Sequence, residues 1–235
     1  MTLADKVTLA RLGLMPVIVA AYLLLPAPWC FWIAGWTCAL AEYTDLLDGR
    51  IARARGEVSD FGKLADPFCD VIYRLGVFLA FLLPAGAYAL WGNAAFPVGD
   101  FPGGSSDGLA HAAVPGQLVI ANRDGSLHAG LVPWLPVLLM TLREIIAGAL
   151  RAMTATKGLV LAARTSGKVK AWVQGATIIT CLGLPAVFST QAAWVLHWAF
   201  WATWLCAVLS VISISEYIWV NRGTLALLIE RKPQP

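Results

Sequence analysis

Three long stretches of this chain, residues 12–41, 75–99 and 171–215, contain no Asp, Glu, Lys or Arg. A helix needs roughly 20 mostly apolar residues to cross a bilayer, so the first and last stretches can each hold two crossings. Only 13% of the 235 residues are charged and 59% are hydrophobic, against about 25% charged in an ordinary soluble domain. Such a chain cannot cover itself with water-compatible surface. Hydrocarbon offers no hydrogen-bond partner to an open backbone, so apolar runs of this kind fold as helices. The reading is all-α: an integral membrane bundle. The 11 Trp fit rings placed at the two interfaces, for example Trp29, Trp32, Trp194 and Trp219.

The five Cys (Cys30, Cys38, Cys69, Cys181 and Cys206) are scattered through apolar sequence without CxxC or Cys/His spacing. They read as small packing residues rather than a metal or disulfide framework. Asp5, Lys6 and Arg11 precede the first hydrophobic run and no small-residue cleavage site follows it, so no cleavable signal peptide is expected.

Six membrane helices are predicted, over about 11–25, 29–54, 59–91, 130–154, 167–188 and 191–221. The first stops at Pro26-Ala27-Pro28, a tight turn. Residues before Arg11 suit a short interfacial helix. Residues 92–128, with Gly103-Gly104-Ser105-Ser106-Asp107-Gly108, show no strong period and read as an extramembrane loop of a single membrane domain spanning 1–235. With six crossings, all of the 17 Lys and Arg except Arg123 fall on one side or in the adjoining helix ends. Excess basic charge marks the cytoplasmic face. Both termini are therefore predicted inside and the 92–128 loop outside.

The segment Asp45-Leu46-Leu47-Asp48-Gly49-Arg50-Ile51-Ala52-Arg53, continuing to Gly62, Asp66 and Asp70, is the most informative. Asp45 and Asp48 are spaced i, i+3; Asp66 and Asp70 are spaced i, i+4. Each pair lies on one helix face. A short connection around Gly56 makes the second and third helices antiparallel neighbours, so the pairs can face each other near the cytoplasmic end. Four converging carboxylates repel unless cations intervene. All-oxygen ligation suits Mg²⁺ or Mn²⁺, and Ca²⁺ is compatible. The competing reading is a structural network with Arg50, Arg53, Arg55 and Lys63. Four acids inside apolar helices favour metal, because ionisable groups there are costly and usually functional.

These residues fit D-x2-D-G-x2-A-R-x8-G-x3-D-x3-D at every fixed position: Asp45, Asp48, Gly49, Ala52, Arg53, Gly62, Asp66 and Asp70. The segment resembles the signature of the CDP-alcohol phosphotransferases. That resemblance implies six transmembrane helices, a homodimer, and a site open to the cytoplasmic side of a bacterial-type inner membrane. It implies that Asp45, Asp48, Asp66 and Asp70 hold one or two Mg²⁺ or Mn²⁺ ions against the CDP pyrophosphate, with Asp70 also deprotonating the acceptor hydroxyl. Gly49, Ala52, Gly62 and Arg53 are implied to contact the CDP group. The glycines admit close approach, and Arg53 offers its donor fork to a phosphate oxygen. At the N-terminus Asp5-Lys6-Val7-Thr8-Leu9-Ala10-Arg11 resembles the family's N-x-x-T-x-x-R, which adds Thr8 to the CDP contacts.

The second half resembles the group of this family that makes phosphatidylglycerophosphate. Arg143-Glu144-Ile145-Ile146 with Leu150-Arg151 matches its R-E-I-I…L-R segment, and Gly167-Lys168-Val169-Lys170 with Gln174 matches its G-K-x-K-T-x-x-Q region. The resemblance implies CDP-diacylglycerol as donor, glycerol 3-phosphate as acceptor, and phosphatidylglycerophosphate and CMP as products. Arg143, Arg151, Lys168 and Lys170 are the cations available for the acceptor phosphate. Their alternative is anchoring at lipid headgroups. Three positions depart from the pattern: Asp5 stands where Asn is usual, Val71 where Lys is frequent, and Ala171 where Thr is usual. Glu42, Arg74 and Glu216 are further intramembrane charges; Glu42 is open between supporting the acids and a subunit contact.

Membrane lipids are the expected surroundings, and no nucleic-acid partner is expected. Two rival functions remain at this point. One is the same chemistry with inositol phosphate, serine or phosphatidylglycerol as acceptor. The other is a transporter or non-enzymatic metal-binding membrane protein. Transporter sites usually lie near the midplane on broken helices within repeated halves, and no repeat is evident here.

Overall fold

The computed structural model describes residues 3–55, 60–86, 94–97, 114–121, 127–156, 165–188 and 193–229. Within these, side chains are described except at 3–9, 45–55, 60–67, 94–97, 121, 127, 155–156, 165, 193 and 227–229. In chain order the elements are α1 (Leu3–Leu24), α2 (Trp29–Arg55), α3 (Asp60–Ala80), β1 (Ala94–Pro97), β2 (Gln117–Ala121) and β3 (Leu127–Pro133). The second half holds α4 (Trp134–Thr156), α5 (Thr165–Phe188), α6 (Ala193–Val220) and α7 (Arg222–Ile229).

The chain is mostly helical, as its apolar runs require, with boundaries that differ from expectation in three places. First, the separate N-terminal interfacial helix is absent: α1 runs unbroken from Leu3. Asp5, Lys6 and Thr8 are thus carried on the leading turns of α1. Second, α3 ends at Ala80 rather than near 91. Its last turn tightens, with Leu82 N donating to Leu79 O and Leu83 N to Ala80 O, and the turn closes at Gly86 with φ 84°. Third, the 92–128 segment is not simply loop, and the bundle is not purely α. It contributes to a three-stranded antiparallel sheet in the order β1-β2-β3.

The sheet is built onto one end of the bundle. Phe81 O, freed where α3 ends, accepts from Leu131 N at 2.8 Å and Val132 N at 3.2 Å. Gly130 passes so close that a Cβ there would lie 2.1 Å from Leu82 O. Buried Gln117 accepts from Val114 N and donates to Leu131 O, filling backbone valences at the bulged start of β2. β3 then leads directly into α4, where Trp134 N donates to Gly116 O.

α1 packs against both α2 and α3, α2 against α5, and α6 against α4 and α5. Tyr22, Phe31 and Phe81 form the aromatic centre of the first half, with ring centroids 5.9 and 5.2 Å from Tyr22. The Tyr22 hydroxyl donates to Leu83 O at 3.0 Å, so the one polar atom of this core is satisfied. Small polar residues within the helices likewise bond their own preceding turn: Thr37 to Ile33 O, Thr141 to Val137 O and Ser210 to Cys206 O. That habit suits a surrounding without water. All five cysteines are buried and none forms a disulfide, as packing residues should be.

Outward-facing positions are apolar. Trp36, Trp172, Trp201 and Trp219 are each about two-thirds exposed (66–70%). In water such contiguous apolar surface marks a binding or membrane face. Among the described residues, Ser166–Phe188 and Trp194–Val220 are long and apolar enough to cross a membrane. α2 and α3 are as long, but their facing ends carry the charged residues discussed next.

Candidate functional site

The helical hairpin of α2 and α3 carries the four aspartates. Two described contacts fix its register: Cys38 Sγ lies 3.1 Å from Tyr73 OH, and Glu42 Oε2 lies 4.0 Å from Arg74 Nη2. Starting from Glu42 and Arg74, one turn forward on α2 and one turn back on α3 reach Asp45 and Asp70. A further turn on each reaches Asp48 and Asp66. At a rise of about 1.5 Å per residue, each step advances about 4.5 Å on α2 and about 6 Å on α3. Helical spacing continues the Glu42 face of α2 through Asp45 and Asp48, and the Arg74 face of α3 back through Asp70 and Asp66.

Of the four carboxylates, only that of Asp70 is described. Asp70 Oδ1 accepts from Arg11 Nη1 of α1 at 3.1 Å and pairs with Arg74 Nη2 at 3.1 Å. Arg11 is only 2% exposed, so α1 drives a buried cation to the hairpin. These cations differ from those expected in a structural network: Arg50, Arg53, Arg55 and Lys63 lie at positions whose side chains fall outside the described residues. The same holds for Thr8, Asp45, Asp48, Ala52, Arg53 and Asp66, and for the local surroundings of Gly49 and Gly62. Among the described residues no three His, Cys, Asp or Glu side chains gather as a metal site. The donor chemistry nevertheless fits a hard cation: four aspartates are carried on two helices, and the side chain of Asp70 is in place at the junction of α1 and α3.

A second charged cluster joins α4, α5 and α6. Glu144 receives both Arg143, whose Nη1 is 2.9 Å from Oε2, and Lys170, whose Nζ pairs with Oε1. Arg143 Nη2 also donates to Ser213 Oγ at 2.9 Å. The side chains of Arg143, Glu144 and Lys170 are each about nine-tenths buried or more. The N-terminus of α5 lies alongside, since a Cβ at Gly167 would sit 4.0 Å from Ser213 Oγ. Arg143 Nε, Ser166 Oγ and Tyr217 OH are buried polar atoms without a hydrogen-bond partner in the structure. Buried polar groups are normally satisfied, so these three mark a place suited to a polar ligand.

The structure thus brings together Arg143 and Lys170 among the four cations expected there. Lys168 is exposed; two residues from Lys170, it falls on the far side of α5. Arg151 is exposed and its Nε is bonded within α4 to Ala147 O. Sequence reasoning missed Ser166, Ser213 and Tyr217, which have no motif and meet Arg143 only through tertiary packing. It also did not pair Arg11 with Asp70, a contact across 59 positions.

The two clusters share α5, and the acids sit on the helix ends opposite the sheet. A family model described as CDP-alcohol phosphatidyltransferase matches residues 1–99 and 105–212. The chain belongs to the CDP-alcohol phosphatidyltransferase family. Two curated relatives carry the name CDP-diacylglycerol–glycerol-3-phosphate 3-phosphatidyltransferase. The protein of Rickettsia bellii (strain RML369-C) is 35% identical over 68 residues, 29% of this chain and 37% of its own length. That of Cereibacter sphaeroides is 33% identical over 69 residues, 29% of this chain and 31% of its own length. The matched part thus spans about a third of each relative. Among solved structures, apo phosphatidylinositol phosphate synthase (PgsA1) of Mycobacterium tuberculosis shares the fold. Its TM-score is 0.54 and its identity 19%, over 98% of this chain and 94% of the other. The matched residues include Asp45, Asp48, Asp66 and Asp70.

Proposed function

We propose that this chain transfers a phosphatidyl group from CDP-diacylglycerol to glycerol 3-phosphate, giving phosphatidylglycerophosphate and CMP. The observation that carries the acceptor is the buried Arg143 cluster. A cation tied to Ser213, beside the partnerless Ser166 and Tyr217 hydroxyls and a helix N-terminus, suits an anionic phosphate. Two relatives named for glycerol 3-phosphate support the same choice.

Asp45, Asp48, Asp66 and Asp70 would hold Mg²⁺ or Mn²⁺, one or two ions, which would neutralise charge on the pyrophosphate as CMP leaves. The chain's own residues do the rest. Asp70, held on Oδ1 by Arg11 and Arg74, accepts the proton of the acceptor hydroxyl. The acceptor oxygen forms a bond to the lipid-bearing phosphorus, and the bond from that phosphorus to the CMP oxygen breaks. Arg53, Gly49, Ala52, Gly62 and Thr8 contact the departing nucleotide. Arg143 and Lys170 orient the acceptor phosphate, with Glu144 fixing both cations between substrates. Arg151 and Lys168 have the weaker claim, serving at the rim or the headgroup layer.

The chain is one membrane unit with six crossings, both termini and the acids at the cytoplasmic face of an inner membrane, the sheet-bearing 92–128 segment opposite, and a homodimeric state. The test is labelled-CMP release by purified protein in mixed micelles of CDP-diacylglycerol, offered glycerol 3-phosphate, inositol phosphate, serine and phosphatidylglycerol in turn. Release that is greatest with glycerol 3-phosphate is expected. Preference for another acceptor overturns the substrate, and release with none overturns the reaction.

A further inference from the structure

We infer that Arg74 is a positioning residue that ties the proton-accepting Asp70 to the acceptor side of the bundle. The inference rests on the transferase reading above and concerns a residue outside the aspartate signature. Arg74 lies one turn after Asp70 on α3, and its side chain is 9% exposed. Its guanidinium touches three helices. Nη2 is 3.1 Å from Asp70 Oδ1 on α3 and 4.0 Å from Glu42 Oε2 on α2. Nη1 donates to Ala171 O on α5 at 2.9 Å.

The last contact gives the arrangement its consequence. Ala171 follows Lys170, whose ammonium is held by Glu144 beside Arg143. One planar cation therefore spans the helix that carries the proton acceptor and the helix that carries a cation for the acceptor phosphate. Fixing the distance between these two groups is what an alcohol and its own phosphate require, because both must be gripped at once. Orientation of this kind contributes heavily to rate, and a misplacement of about 1 Å can cost about a hundredfold. A guanidinium suits the task because its donors leave a rigid plane in several fixed directions; a lysine ammonium has a single charged centre.

Glu42 completes the brace. Its carboxylate lies over Gly175, one turn beyond Ala171 on α5, where an added Cβ would come within 3.1 Å of Oε2. Glycine there lets the acid sit against α5 while it faces Arg74. Glu42 and Arg74 also link α2 to α3 one turn from Asp45 and Asp70, so the brace ties these two helices to α5.

The test compares Arg74→Lys, Arg74→Met and Glu42→Gln with the parent in detergent, reading kcat, both substrate KM values, and Mn²⁺ affinity by electron paramagnetic resonance. For Arg74→Met the expectation is a kcat lower by about thirtyfold and an acceptor KM raised about fivefold. The KM for CDP-diacylglycerol and the Mn²⁺ affinity should stay within about threefold of the parent. Arg74→Lys should restore folding yield but under about a tenth of kcat, and Glu42→Gln should lower kcat by about threefold to tenfold. If Arg74→Met does not fold, the lysine and glutamine variants carry the same comparison. Parental kcat and acceptor KM in Arg74→Lys, or Mn²⁺ affinity falling in step with activity, would overturn the assignment in favour of a purely structural brace. A parent that releases no CMP would overturn the transferase reading and this inference with it, whereas an active parent with insensitive variants overturns the inference alone.

Discussion

Asp70 is held from two directions before any substrate arrives. Arg11 comes from α1 and Arg74 from the next turn of α3, and both meet the same carboxylate oxygen at 3.1 Å. The contacts restrict the side chain to one orientation in a partly buried setting, as a proton acceptor requires if its geometry is to be ready in advance. Replacing Asp70 with Asn keeps the shape and removes the carboxylate that the proposed mechanism uses as proton acceptor. Asp70→Asn is expected to lower CMP release by about a hundredfold or more, with an unchanged elution volume and little change in thermal unfolding. Release at the parental rate would remove Asp70 from the chemistry.

The helices were legible because their cause is local. Charge-free runs, the Pro26-Ala27-Pro28 break and the i, i+3 and i, i+4 acids all speak through neighbouring residues, and α2, α4, α5 and α6 begin and end within a few residues of expectation. The sheet was not legible. Its strands, such as Gln117–Ala121 and Leu127–Pro133, are short, and they are held by an end-of-helix carbonyl at Phe81 that no local pattern announces. The site divides in the same way. Spacing identified the four acids and put Arg74 one turn from Asp70, yet the Arg11 partner of Asp70 and the Ser213 partner of Arg143 arrive from helices far away in sequence. Gly130 offers a test of the sheet's attachment. The atom a Cβ would meet there is backbone, Leu82 O at 2.1 Å, which cannot rotate away. Gly130→Ala should cost about 1–3 kcal/mol of stability, seen as earlier thermal unfolding in detergent. The turnover of the folded fraction should remain parental, because the sheet lies at the end of the bundle away from the acids. Unchanged unfolding would show that β3 does not lean on the end of α3.

Taken as a whole, the molecule divides its work between its two ends. One end is closed by the sheet, the tightened exit of α3 and the aromatic packing around Tyr22. The other holds the charged contacts of Arg11, Glu42, Asp70 and Arg74 across α1, α2 and α3, and the Arg143 cluster of α4, α5 and α6. The apolar outer faces and the two long apolar helices Ser166–Phe188 and Trp194–Val220 suit a lipid surround, and the proposed topology turns the charged end toward the cytoplasm. The proposed function requires acids on two helices to share the metal. Mn²⁺ titration of the purified protein followed by electron paramagnetic resonance reads this directly. The parent should take up one or two ions, and Asp45→Asn on α2 and Asp66→Asn on α3 should each weaken uptake by about tenfold or more. A parent that takes up none, or an affinity untouched by substitution on one of the two helices, would contradict the shared site.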